Sequence, residues 1–331
     1  MNIWALSDPH LCFGNPEKSM ESFGKTWENY SQKIDFSYVK IKDIILKNQF
    51  FYEKKSNKKI DFLILNNIHK NFSKRCCLQF DNINTKIILI VWEPPTVHPW
   101  MHNNLLYKSL DRIITWNDDL IDNKKNFPFK YPVCRPMINN IKDFESKKFL
   151  STFIANKRSS YKDENYTNRR KILEFYNTTY PLDFDLYGPG WKKSYPRIYK
   201  GYVKDKIDCL RNYKFAYCFE NTINIKGYIT EKIFHCMYSG SIPIYYGASN
   251  IQDYIPSDCF IDFRDFENIE NLDLFLRKMT KSEYEGYINR IREFLISGKG
   301  KIFTSKHLVN SLKIIFNSYL NQDNDTQTQK F

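Results

Sequence analysis

Short apolar runs separated by longer segments of helical spacing constrain this chain more than anything else in it. IDFLIL (60–65), KIILIVW (86–92), DRIITW (111–116), FLSTFIA (149–155), DFDLYG (183–188), KFAYCFE (214–220), SIPIYYG (241–247) and CFIDF (259–263) each have the length and side chains of a buried strand. Residues 3–6 predict one more short strand. Helical spacing predicts helices over 18–33, 37–49 (through Tyr38, Ile41, Ile44 and Ile45), 104–109, 167–176, 204–212 and 227–239. The helix over 167–176 is expected to open at Thr167 or Asn168, and the one over 227–239 to stop at Gly240. Three more follow at 268–279, 281–296 and 306–320. Apolar strands alternating with helices predict parallel sheets. The pattern runs once before residue 149 and once after it, so the expected fold class is α/β with two domains and a cleft between them. In open parallel sheets a ligand binds beyond the C-terminal strand ends, near helix N-termini.

Composition narrows the function. Apolar residues make up 42% of the 331 and aromatics 17%, enough for real cores, and Gly (11) and Pro (13) are too scarce for a linker-built chain. The net charge of +13 favours an anionic partner: a nucleotide diphosphate, an acidic membrane surface or nucleic acid. Nucleic acid is not expected, because the aromatics lie in strand patterns and are not interleaved with a basic stripe. The eight cysteines, with no CxxC spacing and mostly in apolar runs, read as reduced, buried thiols of a cytoplasmic protein. No run approaches the roughly 20 apolar residues of a membrane span, and no signal-peptide pattern opens the chain. A membrane contact would therefore be peripheral, through the basic surface. The polar tail 321–331 is expected to be disordered.

The strongest chemical signal is the strand-loop-helix FAYCFEN-TINIK-GYITEKIF. Glu220 and Asn221 stand at the end of an apolar strand, and a polar loop leads to a helix start carrying Tyr228, Thr230, Glu231 and Lys232. Free N–H groups and the dipole at a helix start favour a phosphate, and Lys232 adds a mobile cation. Glu231 could accept hydrogen bonds from sugar hydroxyls. A lone Glu-Lys at a helix start more often just complements the dipole. Here the strand end before it and SIPIYYG after it favour a site.

This segment resembles the α1,3-fucosyltransferases, family 10 of the glycosyltransferases. Phe215 to Thr222 matches F-x-x-x-F-E-N-[ST], Gly227 to Ile233 matches [GY]-Y-[VI]-T-E-K-[IL], and Ile242 to Gly247 matches [IV]-P-[IV]-[YV]-x-G, in that order. The resemblance is good over about 149–266 and loose before it. It implies a GT-B architecture, two Rossmann-like domains facing across a cleft, with GDP-fucose held by the C-terminal domain and a glycan acceptor by the N-terminal one. By position, Glu231 and Lys232 would contact the donor, Lys232 at the phosphates. Tyr228 and Asn221 would line the same pocket, while Glu220 would brace the loop from below or, second, touch the sugar. The family also has an arginine near the phosphates at the start of the first donor-domain helix. Arg169 and Arg170 both qualify, Arg170 fitting slightly better.

Inverting transfer needs a base to take the proton of the acceptor hydroxyl. Glu93, at the end of KIILIVW and fixed by Pro94-Pro95, matches a Glu-x-Pro element of that family. His98 and His102 are rivals with a more convenient unperturbed pKa, ranked second because Glu93 sits on a rigid strand end. No DxD metal motif is present, the pair Asp118-Asp119 resembling a helix start. No metal or other cofactor is expected to be required, though a divalent cation could stimulate through GDP.

The first residues pull the other way. IWALSDPHL, with Asp8 and His10 at a strand end, resembles the start of a calcineurin-like metallophosphoesterase, but the later Gly-Asp, Gly-Asn-His and Gly-His-x-His elements of a two-metal site are missing. The expected domains are a phosphoesterase-like fragment over 1–35, an acceptor-side domain over 36–148, a GDP-sugar domain over 149–320 and the tail. The expected function is transfer of fucose from GDP-fucose to a glycan hydroxyl, in surface glycan or lipopolysaccharide synthesis. The alternatives are a GT-B transferase for another nucleotide deoxysugar and a non-catalytic nucleotide-sugar-binding protein.

Overall fold

The structure, a computed structural model, describes residues 2–7, 35–40, 62–67 and 86–328. The chain divides into two compact units, Met1–Phe129 with Ser305–Phe331, and Lys130–Thr304.

The first unit is built on a parallel six-stranded sheet of order β2-β1-β3-β4-β5-β6. Its strands are β1 (Asn2–Ser7), β2 (Asp35–Lys40), β3 (Phe62–Asn66), β4 (Lys86–Val91), β5 (Arg112–Thr115) and β6 (Asn126–Pro128). Ile87 to Val91 of β4 are all buried, as unbroken apolar strands in parallel sheets must be. A short helix α1 (Asn104–Lys108) opens on Asn103, whose side chain accepts from the Leu105 N–H. The long C-terminal helix α8 (Ser305–Thr328) also belongs to this unit. It stacks Phe316 and Tyr319 edge-on against Phe62, and Ser311 donates to the Pro128 carbonyl.

Several sequence expectations change here. β1 pairs in parallel with β2 on one side and β3 on the other, so residues 2–7 are an interior strand of the first sheet and not part of a separate fragment. Asp8, His10 and the helix expected over 18–33 lie outside the described residues. Helical spacing over 37–49 fails in its first part, because 35–40 form β2. The first unit ends at Phe129 rather than 148. Residues 130–147 carry no long element, but they already pack on the second core through Val133, Met137 and Ile141. Their backbone joins it too, the Cys134 N–H to the Phe303 carbonyl and the Ile138 N–H to that of Tyr238. The second unit ends at Thr304 rather than 320, and the expected disordered tail is helical as far as Thr328.

The second unit has a parallel sheet of order β12-β11-β10-β7-β8-β9. The strands are β7 (Lys148–Phe153), β8 (Phe184–Tyr187), β9 (Tyr199–Gly201), β10 (Tyr213–Tyr217), β11 (Ile242–Tyr245) and β12 (Ile261–Asp262). β9 and β6 are too short, and too poor in apolar residues, to register as strands in the sequence. The helices are α2 (Tyr166–Thr179), α3 (Lys206–Leu210), α4 (Glu231–Ser239), α5 (Ile269–Lys278), α6 (Lys281–Ile296) and α7 (Gly298–Lys301). Strand order reverses between β7 and β10, which pair directly. That is the switch point of an open parallel sheet, where the loops after two neighbouring strands part and leave a crevice. The loop after β7 leads to α2, and the loop after β10 leads to α4.

Helix α4 stops at Gly240, whose φ of 67° is the left-handed geometry of a helix C-terminus. The Gly240 carbonyl accepts from Tyr284 Oη (2.6 Å) and from the buried Lys147 Nζ (2.5 Å). Burial, with Arg211 and Lys142 nearby, lowers the Lys147 pKa to about 7. An unfolded lysine keeps its proton to about pH 10.4. Between those values the native state binds fewer protons than the unfolded one, so this residue adds stability as pH rises through the window. Urea melts at pH 7 and 9.5 should show wild type gaining on Lys147→Met. An equal change in both proteins would contradict the assignment.

The five described cysteines, Cys134, Cys209, Cys218, Cys236 and Cys259, are all free thiols. No helix among the described residues is long and apolar enough to cross a membrane.

Candidate functional site

In the second unit the site grows from the end of β10. The strand itself ends at Tyr217, but pairing continues, with the Cys218 N–H on the Ile244 carbonyl and the Glu220 N–H on that of Tyr246 (both 2.9 Å). Glu220 is thereby fixed at the C-terminal edge of the sheet, fully buried. A buried carboxylate needs partners, and it has three donors. Oε1 accepts from the Thr230 N–H (2.7 Å), the Thr230 hydroxyl lies 2.8 Å from both oxygens, and Lys232 Nζ donates to Oε2 (2.9 Å). Gly247, the last residue of the motif, makes room for it: a Cβ there would sit 2.7 Å from Glu220 Cγ and collide with Tyr245 Oη.

Thr230 is the N-cap residue of α4, yet its side chain makes no capping bond. Its hydroxyl is spent on Glu220, and at the helix start it is the Glu231 carboxylate that accepts from its own backbone N–H. Lys232 Nζ also donates to Thr230 Oγ1 (2.9 Å) and lies 3.8 Å from Glu231 Oε1. Burial alone would lower the Lys232 pKa, but Glu220 and Glu231 outweigh it and hold the ammonium above its ordinary value. Burial likewise pushes the Glu231 carboxyl up, and Lys232, Lys206 and His235 overcome it to bring the pKa to about 2. Both groups are therefore charged at neutral pH.

Arg169 completes the cluster. Its guanidinium is buried, donates to Asn221 Oδ1 (3.0 Å) and to the Phe219 carbonyl, and leaves Nε without a hydrogen-bond partner. The start of α2 is stitched to the loop after β10: the Asn165 N–H bonds the Asn221 carbonyl, and the Ile223 N–H that of Asp163. Arg170 points elsewhere, bonding Asn156 Oδ1 and the Lys157 carbonyl, so of the two arginines the cluster holds Arg169. The sequence contains the reason. Arg169 shares the buried stripe of Ile172, Leu173 and Tyr176, and Arg170 does not. Tyr228 is buried close enough to Arg169 to act on its charge, with its ring edge-on to Tyr131 and its carbonyl accepting from Tyr245 Oη. Glu220, Asn221, Thr230, Glu231, Lys232 and Arg169 thus form one group.

Lys206, at the start of α3, is a cation that the sequence did not single out. It acts on both Glu231 and Lys232, and its own charge lowers the His235 pKa after burial, to about 4. A lysine in KDKIDC carries no local mark of a site. Among the described residues no three His, Cys, Asp or Glu side chains group closely enough to hold a metal ion.

In the first unit Glu93 is buried just past the end of β4. His102 donates from Nε2 to the Glu93 carbonyl (2.9 Å), and burial lowers its pKa against the opposing effect of that bond. His98 is also buried, with its ring centroid 4.7 Å from that of Trp100.

Residues 141–310, just over half of the chain, match the family model described as glycosyltransferase family 10 (fucosyltransferase) C-term. The chain belongs to glycosyltransferase family 10. The match brackets the whole cluster in the second unit. An alpha-(1,4)-fucosyltransferase of Arabidopsis thaliana is 40% identical over 76 residues, 23% of this chain and 19% of the plant protein. The mouse (Mus musculus) 4-galactosyl-N-acetylglucosaminide 3-alpha-L-fucosyltransferase 9 is 36% identical over 110 residues, 31% of this chain and 30% of its own. The chain thus matches less than a third of either relative. Among solved structures, an alpha1,3-fucosyltransferase with GDP superposes with a TM-score of 0.59 at 16% identity, over 96% of this chain and 90% of the other. An alpha-glucosyltransferase in complex with UDP-glucose and DNA containing an abasic site gives 0.59 at 12% identity, over 94% and 98%. Likeness at this identity speaks to the fold, which is GT-B, with one Rossmann-like parallel sheet in each unit of this family 10 chain.

Proposed function

We propose that this chain transfers fucose from GDP-fucose to a hydroxyl of a glycan, with inversion at the anomeric carbon. The observation that carries the reading is the cluster at the switch point of the second sheet: Lys232 and Arg169 gathered beside a helix start that Thr230 does not cap. Two cations and the positive end of a helix suit a diphosphate leaving group. Lys232 donates to Glu220 and Thr230, and its third ammonium proton is the one left for a phosphate oxygen. Glu231, charged and adjacent, accepts hydrogen bonds from the sugar hydroxyls. Glu93 acts as the base that deprotonates the acceptor. The chain's own cations carry the charge of the departing GDP, so transfer should proceed in EDTA.

The name of the mouse relative gives that enzyme a 4-galactosyl-N-acetylglucosaminide acceptor, and glycans ending in this disaccharide are the first to try here. A role in surface glycan or lipopolysaccharide synthesis, in the cytoplasm and with the basic surface against an acidic membrane, fits the +13 charge. The test is NMR of the product made from GDP-fucose in EDTA. A product of opposite anomeric configuration to the donor supports the reading. Retention of configuration, or no transfer without a metal, removes the corresponding part.

A further inference from the structure

Trp92 and Glu93 lie one and two residues past the last residue of β4, where ladder partners run out. Buried backbone groups without partners are costly, and here side chains from other elements supply all of them. Asn67, just beyond β3, accepts on a single Oδ1 from the Trp92 N–H (2.9 Å) and from the Glu93 N–H (3.3 Å). Trp116, just beyond β5, donates from Nε1 to the Trp92 carbonyl (3.1 Å). His102, ending the turn Pro99–His102, donates from Nε2 to the Glu93 carbonyl (2.9 Å). The residue after Glu93 is Pro94, which fixes the exit of the chain.

Asn67 is itself specified. It is buried, its N–H bonds the Ile90 carbonyl, and its φ is 56°. Gly, Asn and Asp tolerate that left-handed backbone best, and of these only Asn and Asp also present a side-chain acceptor. Holding the backbone at both its N–H and its carbonyl removes the freedom of a strand end to fray. It fixes the Cα–Cβ direction from which the Glu93 carboxylate departs.

We infer that Asn67 and His102 are positioning residues for Glu93, clamping its peptide groups from two sides so that the carboxylate is held ready for the acceptor. The inference rests on the reading of Glu93 as the base. In this role His102 is not a base: it must carry its proton on Nε2 to make the bond.

The test compares kcat and donor affinity per folded molecule, with active protein counted by GDP titration. Asn67→Gly keeps the backbone geometry and loses the acceptor. It should lower kcat about 10- to 100-fold, the cost of a misplaced reacting group, with the Kd for GDP-fucose unchanged. Asn67→Asp restores the acceptor and should recover most of kcat. His102→Phe should show the same kcat-only loss, and His102→Gln, a donor but no base, should relieve it. On a Glu93→Gln background, Asn67→Gly should cost nothing more, because the group it positions is gone.

Unchanged kcat in both Asn67→Gly and His102→Phe would overturn the inference. So would an equal loss from Asn67→Gly with and without Glu93. If His102→Gln is as impaired as His102→Phe, a base role for His102 replaces the positioning role. Should Asn67→Gly not fold, the His102 pair decides. Full activity in Glu93→Gln alone would instead refute the base assignment beneath the inference, and so the two failures separate.

Discussion

Replacing Glu93 by glutamine is expected to cut fucose transfer by about 100- to 10,000-fold, the usual contribution of a positioned general base. Affinity for GDP-fucose should stay at the wild-type value. The substitution changes charge and basicity but almost no volume, and the peptide groups around it keep their partners in Asn67 and His102. The loss should therefore fall on kcat and not on folding. Steady-state kinetics with saturating donor and acceptor, beside a donor titration, measure both. Full turnover in the variant would remove Glu93 as the base and bring His98 forward.

The second large effect is expected at Glu220. Glu220→Ala takes away the partner of Lys232 Nζ and of both Thr230 donors, all of them buried or nearly so. Breaking a buried ion pair from one side leaves an uncompensated charge and typically costs about 3–5 kcal/mol. Urea unfolding followed by circular dichroism should show a loss of that size. Because the same change frees the helix start carrying Glu231 and Lys232, donor binding should weaken as well. Glu220→Gln retains the volume and part of the hydrogen bonding, so it should lose less of both. A wild-type unfolding midpoint in Glu220→Ala would contradict the bracing role.

Much of this site is legible in the sequence, because its signals are local. Glu220, Asn221, Thr230, Glu231 and Lys232 come from one strand-loop-helix whose apolar strand and helix stop fix the register, and the structure gathers them as one group. Glu220 bonds Thr230 and Lys232, the contacts that the first of the two roles considered for it requires. Two readings at α2 fail although the contacts concerned are local. Helix α2 opens at neither Thr167 nor Asn168. Its N-cap is Asn165, whose side chain makes no cap bond, and its first N–H groups, of Tyr166 and Thr167, are bonded instead by Glu164 one residue earlier. Choosing Arg169 over Arg170 needs the buried face of α2, which the apolar stripe does show.

Other misses have no local signal at all. Asn67 follows a strand by one residue and looks like any turn asparagine. Its importance comes from a contact some 25 residues away in sequence. Residues 37–49 carry helical spacing, yet the sheet recruits 35–40 as β2, since pairing with β1 overrides local periodicity. The return of α8 to the first unit is likewise set by tertiary packing, of Phe316 and Tyr319 on Phe62.

The donor site is tested by isothermal titration of the purified protein with GDP-fucose, GDP-mannose and UDP-galactose, without added metal. GDP-fucose is expected to bind in preference to the other two, at least tenfold more weakly in Lys232→Ala through loss of a charge-assisted contact to phosphate. Absence of binding to any GDP compound, or equal binding by wild type and Lys232→Ala, would contradict that expectation.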